Sequence, residues 1–267
     1  MGDTLEASLT SVLEQLNTQF EVIVIDDGSS DNSIDILEYL VLKYDNLRYV
    51  SLDVDKSRKL GNTRNISINL ADGEWCIFHI DTDDYIGPHI RDFVKIVEIL
   101  SEGLEKETLF SGQQIHMGKK SFLISNGPFK NIYRGEDRDL YQRLALKNQW
   151  IVIDHKRFIH RMPRSRRRLA TKNLIDIWDA TITDLQMRPR LFLYIWESVI
   201  RINRIGLVRL TIRMLFIPFA YIAAIRRGIF DTSDRINDYE AFRNYRNENT
   251  KTFNQWVAHL NISTNKY

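Results

Sequence analysis

The chain of 267 residues is long enough for one domain plus a substantial extension, and a hydrophobic content of 43% can supply a real core. The formal net charge of only +2 excludes uniform binding to a polyanion, although basic residues are concentrated after residue 155. Cys76 is the single cysteine, which excludes an internal disulfide and fits a small core residue better than a nucleophile. The first residues carry no basic and apolar leader, so we expect the chemistry to face the cytosol.

The first part of the chain alternates helical and strand patterns. These patterns predict helices over 4–16, 33–44 and 61–71 and strands over 20–25, 47–52 and 74–78. Asp26 and Asp27 follow the first of these strands, and Gly28 permits a tight turn after them. In an open α/β sheet the carboxyl ends of the strands are where ligands bind. These two carboxylates are therefore candidate ligand contacts.

Three more carboxylates, Asp81, Asp83 and Asp84, lie within four residues after the strand 74–78. Carboxylates this close raise each other's pKa unless a cation lies between them. Hard oxygen ligands at this density suit Mg²⁺ or Mn²⁺, which can in turn hold a diphosphate. The alternative is an acidic turn that caps the next helix, and spacing alone does not separate the two. We expect His79, on the strand, to point into a packed layer rather than at the metal.

The second part continues the alternation. The patterns predict a helix over 88–100, a strand over 108–117, a loop over 118–133, a helix from about 134 to 146 and a strand over 150–154. Strands and helices that alternate in this way predict a three-layer α/β fold with a mostly parallel sheet. Glu136, Asp137 and Asp139 open the helix that ends at 146. The helix dipole favours acidic residues there, so a purely structural explanation also exists.

Three segments together resemble the family-2 glycosyltransferases of the GT-A fold. The run Val24-Ile25-Asp26-Asp27-Gly28-Ser29-Ser30-Asp31 resembles the family's nucleotide-binding turn. The motifs at 61–65, 71–73 and 81–84 resemble its helix-to-metal-site run. The segment Gly135-Glu136-Asp137-Arg138-Asp139-Leu140 resembles the part that carries the catalytic base. The order and spacing of these segments over roughly residues 5–155 carry the resemblance.

The resemblance implies contacts for a nucleotide-sugar donor of the UDP or GDP type. Asp27, with Asp26 beside it, would contact the base or the ribose, and Arg64 would approach the nucleotide from the side. Asp81 would contact the ribose, and Asp83 would bind the Mg²⁺ or Mn²⁺ ion. Each of these residues also has a simpler explanation as part of a solvated turn or a cap.

The resemblance further implies that Asp137 deprotonates the acceptor hydroxyl, with Glu136 in support. A bound divalent cation neutralises the charge that builds on the diphosphate as the sugar bond breaks. One carboxylate base on the opposite face of the sugar is then sufficient, and no covalent sugar–enzyme step is needed. That arrangement predicts inversion at the anomeric carbon.

Two departures from the family pattern are visible. The apolar strand that normally precedes the helix at 4–16 is missing, so either the true start lies upstream or the sheet is incomplete. The chain also lacks a Gln-x-x-Arg-Trp run, which is typical of processive synthases in the family. The transfer of a single sugar is therefore favoured over polymerisation.

Two basic segments follow the proposed catalytic region. Residues 156–168 contain seven Lys or Arg and no acid, and they are either a loop that closes over the diphosphate or a solvated basic loop. Aromatic residues are sparse there, so we expect no nucleic acid to bind. Residues 186–227 contain eight arginines and one glutamate among bulky apolar residues. Their longest uncharged apolar run, Met214–Ile225, is shorter than the span of about 20 residues that a bilayer requires.

Arginines beside apolar and aromatic residues suit helices that lie in a membrane interface, and we expect 186–227 to make such a peripheral contact. The alternative is a core-packing helical hairpin whose arginines reach outward to solvent. After Asp231 the chain becomes polar, and we expect its tail to be disordered.

We therefore expect a GT-A catalytic domain over 1–168 and a basic amphipathic helical region with a polar tail over 169–267. The predicted function is inverting, metal-dependent transfer of one sugar to a hydroxyl or phosphate acceptor, plausible acceptors being lipid-linked, at the inner face of the cell membrane. A catalytically silent relative that acts as a binding or scaffold subunit is one alternative, and a nucleotidyltransferase is another.

Overall fold

The computed structural model describes residues 2–78, 80–132, 134–163, 166–188, 190–200 and 202–262. Within these residues the helices are α1 (Gly2–Leu13), α2 (Ser33–Lys43), α3 (Leu60–Leu70), α4 (Ile90–Glu102), α5 (Lys120–Asn126), α6 (Glu136–Leu146), α7 (Arg166–Met187), α8 (Leu191–Ile200), α9 (Ile202–Ile205), α10 (Leu207–Arg227), α11 (Tyr239–Glu248) and α12 (Phe253–His259). The strands are β1 (Val22–Asp26), β2 (Leu47–Ser51), β3 (Trp75–Phe78), β4 (Asp84–Ile86), β5 (Leu109–Ser111), β6 (His116–Lys119), β7 (Trp150–Ile153), β8 (Ile159–Arg161) and β9 (Thr250–Lys251).

The strands form a mixed arrangement. Five strands pair in the order β3-β6-β5-β7-β9, while β1 pairs with β2 and β4 pairs with β8 in two smaller sheets. The pairs β1–β2, β5–β7 and β7–β9 are parallel, and β3–β6, β5–β6 and β4–β8 are antiparallel. The α/β class agrees with the prediction, but the expected predominance of parallel pairs is wrong for the described strands.

Alternating side chains of β7 show the three layers directly. Ile151 and Ile153 belong to a core that includes α4 and the buried Trp256. Trp150 and Val152 belong to a second core, which contains residues of α3, α5 and α6. Because successive side chains of a strand point to opposite faces, helices cover both faces of this sheet. The buried Cys76 lies in the second core, and burial raises the pKa of its thiol to about 11, as expected for an inert core residue.

Two predictions between residues 108 and 133 are wrong. The single strand expected over 108–117 is a hairpin of β5 and β6. Its turn is closed by the Gly112 N–H, which donates to the Ile115 carbonyl at 2.7 Å, and Gln114 there has a φ of +65°. The loop expected over 118–133 contains α5, whose Phe122 and Leu123 are buried in the second core. Seven residues are too few for a clear helical period to appear in the sequence.

The end of the chain returns to the five-stranded sheet, so the prediction of a disordered polar tail is wrong for residues 250–262. Strand β9 extends the sheet beside β7, with Val152 opposite Thr250. The Trp256 indole is buried and donates to the Val152 carbonyl at 3.0 Å. A capping box at Thr252 and Gln255 fixes the start of α12. Residues 169–267 therefore do not all belong to a separate appendage.

Helices α7, α8 and α10 pack on one another, and one side of this group is left exposed. Ile182, Leu185 and Ile217 are buried between them. In contrast, Phe192 is 87% exposed and Phe219 is 67% exposed. By length and composition α10 is the one described helix that could cross a membrane, because it extends beyond the apolar run counted in the sequence. Core helices of soluble proteins pass the same test, so a span does not follow from it.

A gap separates the β1–β2 pair from the five-stranded sheet. Among the described strands, β1 pairs only with β2, and β3 pairs only with β6. Both strands line a cavity of about 710 Å³, and residues 22–25 of β1 are only partly buried although they lie between helices. The sheet is thus interrupted between β1 and β3 within the described residues.

Candidate active site

The turn after β1 gives its two carboxylates different environments. Asp26 is buried and accepts hydrogen bonds from the Ser29 amide at 3.2 Å and the Ser51 hydroxyl at 2.9 Å. Burial raises the pKa of Asp26, but these hydrogen bonds outweigh the effect, so its pKa lies below the ordinary value. Asp27 is exposed and accepts from the Arg58 Nε at 2.6 Å. Asp26 therefore shapes the turn, and Asp27 is the carboxylate available to a ligand.

The acidic stretch after β3 brings three carboxylates together. One oxygen each from Asp81, Asp83 and Asp84 lies within 4.8 Å of the others. Asp83 and Asp84 are 2% and 1% exposed, and Asp81 is partly buried. The pairing of β4 with β8 places Arg161 opposite Asp84. The Arg161 guanidinium lies 3.0 Å from Asp81 and 3.0 Å from Asp84, and it also pairs with Asp83.

This donor set fits a hard divalent cation. Burial raises the pKa of Asp84, and the charge of Arg161 opposes that rise. One guanidinium cannot balance three ionised carboxylates, so the cluster keeps negative charge that a divalent cation can neutralise. Arg161 occupies the space between the carboxylates and would move aside, or share them, when a metal binds.

Arg64 and Glu136 form a buried ion pair between α3 and α6. The Arg64 Nη1 lies 3.1 Å from the Glu136 Oε1. Glu136 is buried, and burial raises its pKa to about 7, while the charge of Arg64 works against that shift. Gly135, with a φ of +83°, precedes the helix and turns the chain so that these acids open it. The pair connects a predicted nucleotide contact to the predicted catalytic segment.

Asp137 and Asp139 differ in what they can do. Asp137 is partly buried, accepts a hydrogen bond from the Arg138 amide at 2.7 Å and borders a cavity of about 800 Å³. Asp139 is fully buried and pairs with Arg143 at 3.0 Å, with Lys130 at 3.4 Å and with the buried Arg235. Asp139 therefore anchors the segment around Arg235, between α10 and α11, and Asp137 is the one of the two acids that can reach a substrate.

The structure brings some of the predicted site residues together, but not all of them line the same cavity. Arg64 and Asp81 line the smaller cavity together, whereas Asp137 borders the larger one. Asp84 and Arg161 belong to the site, but neither was assigned a role from the sequence. Asp84 was visible in the acidic stretch, but Arg161 was only one of seven basic residues, and its β-sheet register with Asp84 is not readable from the sequence. His79, expected in a packed layer, lies outside the described residues.

The layered sheet, the acidic turn after β3 and the turn after β1 define the GT-A class of fold. Residues 2–103, which are less than half of the chain, match the family model described as Glycosyl transferase family 2. A solved mannosyltransferase from Pyrobaculum calidifontis, in complex with GDP-Man and Mn²⁺, has the same fold. It matches with a TM-score of 0.55 and 13% identity over 87% of this chain and 85% of that chain.

Curated relatives match stretches of the chain at higher identity. A poly(ribitol-phosphate) beta-glucosyltransferase of Bacillus spizizenii is 37% identical over 143 residues, which are 52% of this chain and 20% of the relative. A UDP-Glc:alpha-D-GlcNAc-diphosphoundecaprenol beta-1,3-glucosyltransferase of Escherichia coli is 33% identical over 81 residues, which are 30% of this chain and 30% of the relative. The matches thus span only a minor part of either relative.

Proposed function

We propose that the protein transfers one sugar from a UDP- or GDP-sugar to an acceptor hydroxyl or phosphate with inversion at the anomeric carbon. The observation that carries this proposal is the cluster of Asp81, Asp83 and Asp84 at the end of β3. The match of residues 2–103 to the family-2 model supports it, as do the nucleotide sugars in the names of a relative and of the solved structure.

In the proposed mechanism Asp27 and Asp81 hold the nucleoside, and Asp83 with Asp84 holds the Mg²⁺ or Mn²⁺ ion. A bound divalent cation supplies charge neutralisation at the diphosphate leaving group. Arg161 already pairs with Asp81 and Asp84. Once these carboxylates are neutralised by the metal ion, the Arg161 guanidinium would pair with the oxygens of the diphosphate instead. Arg64 is held by Glu136 and would present the rest of its guanidinium to the nucleotide.

Asp137 is the proposed base. It would take the proton from the acceptor hydroxyl as that oxygen attacks the anomeric carbon from the face opposite the leaving diphosphate. No second carboxylate is assigned as a nucleophile, because Glu136 is committed to Arg64 and Asp139 is committed to Arg143 and Arg235. A single displacement by the acceptor leaves the product with inverted configuration.

We place the protein on the cytoplasmic side, in peripheral contact with the inner face of the cell membrane through residues 186–227. Exposed apolar side chains on α8 and α10 support this contact, among them Phe192, Trp196, Leu215 and Phe219. A lipid-linked acceptor is consistent with this location, and one relative's name contains a diphosphoundecaprenol acceptor. Sedimentation with anionic vesicles tests the contact, and protein that stays in the supernatant at low salt contradicts it.

The function is tested by binding and turnover together. The melting temperature is measured with UDP, GDP and CMP, each with Mn²⁺, with Mg²⁺ and with a chelator. We expect UDP or GDP to raise it only with the metal, and a UDP- or GDP-sugar to be hydrolysed slowly without acceptor. Nucleotide binding without any turnover would instead favour the silent binding subunit, and release of pyrophosphate from a nucleoside triphosphate would favour a nucleotidyltransferase.

A further inference from the structure

The larger cavity, of about 800 Å³, lies where the catalytic sheet meets the C-terminal helices. Asp137 borders it, together with residues of β7, α8, α10 and α11. The proposed base therefore opens onto a space that the first 103 residues, which carry the family match, do not build alone. This makes the cavity the natural place for a substrate that is specific to this chain.

The cavity is lined by five arginines, and two of them are neutralised locally. The Arg138 Nη2 lies 2.6 Å from the Asp184 carboxylate, and the Arg188 Nη1 lies 3.2 Å from Glu197. The first pair joins α6 to α7, and the second joins Arg188, just after α7, to α8. They hold the walls together and are not available for a ligand.

The other three arginines have no carboxylate partner among the described residues. Arg157 donates to the Gln114 side chain at 2.6 Å and to the Ile159 carbonyl at 2.8 Å. Arg213 lies over the Tyr194 ring at 5.9 Å, and its buried Nε has no hydrogen-bond partner. Arg246 is exposed at the rim, and no acid within the described ranges pairs with it. Arg213 is half-buried, and a buried guanidinium N–H without an acceptor favours an anionic ligand.

The floor of the cavity suits a carbon skeleton that carries hydroxyl groups. Tyr141 stacks on Trp150 with ring centroids 5.0 Å apart, and Trp150 stacks on Phe242 at 5.5 Å. Side-chain amides of Gln113 and Asn237 also line the space. Trp150 is only 3% exposed between these rings, so a ligand would meet Tyr141 and Phe242 rather than Trp150. Apolar rings with a few polar groups around them are typical of ligand sites.

We propose that this cavity binds the acceptor, and that the acceptor is a polyhydroxylated molecule with a phosphate group close to its reacting hydroxyl. The proposal rests on the proposed function, since it uses Asp137 as the base. Arg213 and Arg246 bind the phosphate oxygens, and the aromatic stack packs against the carbon skeleton. A soluble polyol phosphate and the diphosphate head group of a lipid carrier present the same chemistry to these arginines.

The test is calorimetric titration of the full chain with sorbitol 6-phosphate and, as a matched neutral compound, with sorbitol. Both titrations are made with and without UDP or GDP and Mn²⁺. We expect only the phosphate to bind, with an affinity that falls as salt is raised. Arg213→Gln and Arg246→Gln should each weaken it by about tenfold, because each removes a charge-assisted hydrogen bond. Arg226→Gln, at the far end of α10 and outside the cavity, is the control and should change nothing.

Farnesyl diphosphate forms the second arm of the test. If it binds more tightly than sorbitol 6-phosphate and still depends on Arg213, the phosphate belongs to a lipid carrier. Equal affinity for sorbitol and its phosphate, or full phosphate affinity in both arginine variants, overturns the proposal. If the nucleotide with metal binds and phosphate is not preferred, only the acceptor assignment fails. If the nucleotide does not bind at all, the proposed function fails and the acceptor assignment falls with it.

Discussion

Replacing Glu136 by glutamine should change how the stability of the protein depends on pH. Burial raises the pKa of Glu136 to about 7, against an ordinary value of 4.5, so the folded state binds this proton more tightly than the unfolded chain does. Protonation therefore stabilises the fold. The contribution of the protonated Glu136 carboxyl group to the free energy of unfolding is complete below pH 4.5, and it is lost as the pH rises through about 7.

The size of the effect follows from the shift. A difference of one pKa unit corresponds to about 1.36 kcal/mol, which gives about 2.5 kcal/mol lost between about pH 5 and pH 8. A glutamine side chain cannot titrate, so residue 136 does not lower the stability of the Glu136→Gln variant as the pH rises. The free energy of unfolding of the wild type minus that of the variant should thus fall by about 2.5 kcal/mol over this range.

Urea unfolding, followed by far-UV circular dichroism at about pH 5, 6, 7 and 8, measures this difference directly. Other titrating groups are shared by the two proteins and cancel in the subtraction. Glu240→Gln, on the exposed face of α11, is the matched control for the substitution itself. A flat difference for Glu136→Gln would mean that Glu136 stays ionised beside Arg64 and that the burial argument is wrong.

Three further predictions address the site and the membrane contact. Asp83→Ala should abolish Mn²⁺-dependent nucleotide binding in calorimetry, whereas the exposed Asp92→Asn should bind normally; unchanged affinity in Asp83→Ala would exclude this residue as a ligand. Asp137→Asn should keep donor binding but lower transfer by at least about 100-fold in a product assay, a common general-base contribution; normal turnover would place the base elsewhere. Phe219→Ser should reduce sedimentation with anionic vesicles, whereas Leu42→Ser, at a similarly exposed residue on α2, should not. Equal sedimentation of the two variants would mean that α10 does not contact the membrane.

The elements with long apolar periods were predictable because burial dictates them. Helix α4 is the best example, since Ile90, Phe93, Val97 and Leu100 are all buried on one face. The β5–β6 hairpin was not predictable from periodicity. Its turn depends on a positive φ at Gln114, a side chain that rarely adopts one, and no glycine or proline stands at that residue.

The candidate site also combines features that the sequence predicts with features that it does not predict. Asp81 and Asp83 are neighbours in sequence, so local spacing was enough to predict that they converge. The Arg161 contact depends on the register of β4 with β8, and the Arg64–Glu136 pair depends on how α3 packs against α6. Both are products of tertiary structure. The sequence around Arg161 contains nothing that distinguishes it from the other basic residues of its segment, and the motif that singled out Arg64 did not predict its pairing with Glu136.

The gap in the sheet has a consequence for the backbone of the strands beside it. The Val22 amide donates to Asn46, on the β2 side, and the Asp26 carbonyl accepts from Leu52 on the same side. Because peptide groups alternate along a strand, the amides of Ile23 and Ile25 point away from β2 and into the cavity. Hydrogen exchange should therefore alternate residue by residue along β1, with Ile23 and Ile25 fast and Val24 slow. An extended peptide that entered the cavity would slow Ile23 and Ile25 and leave Val24 as it was, so the exchange pattern of this one strand would report that the peptide had bound.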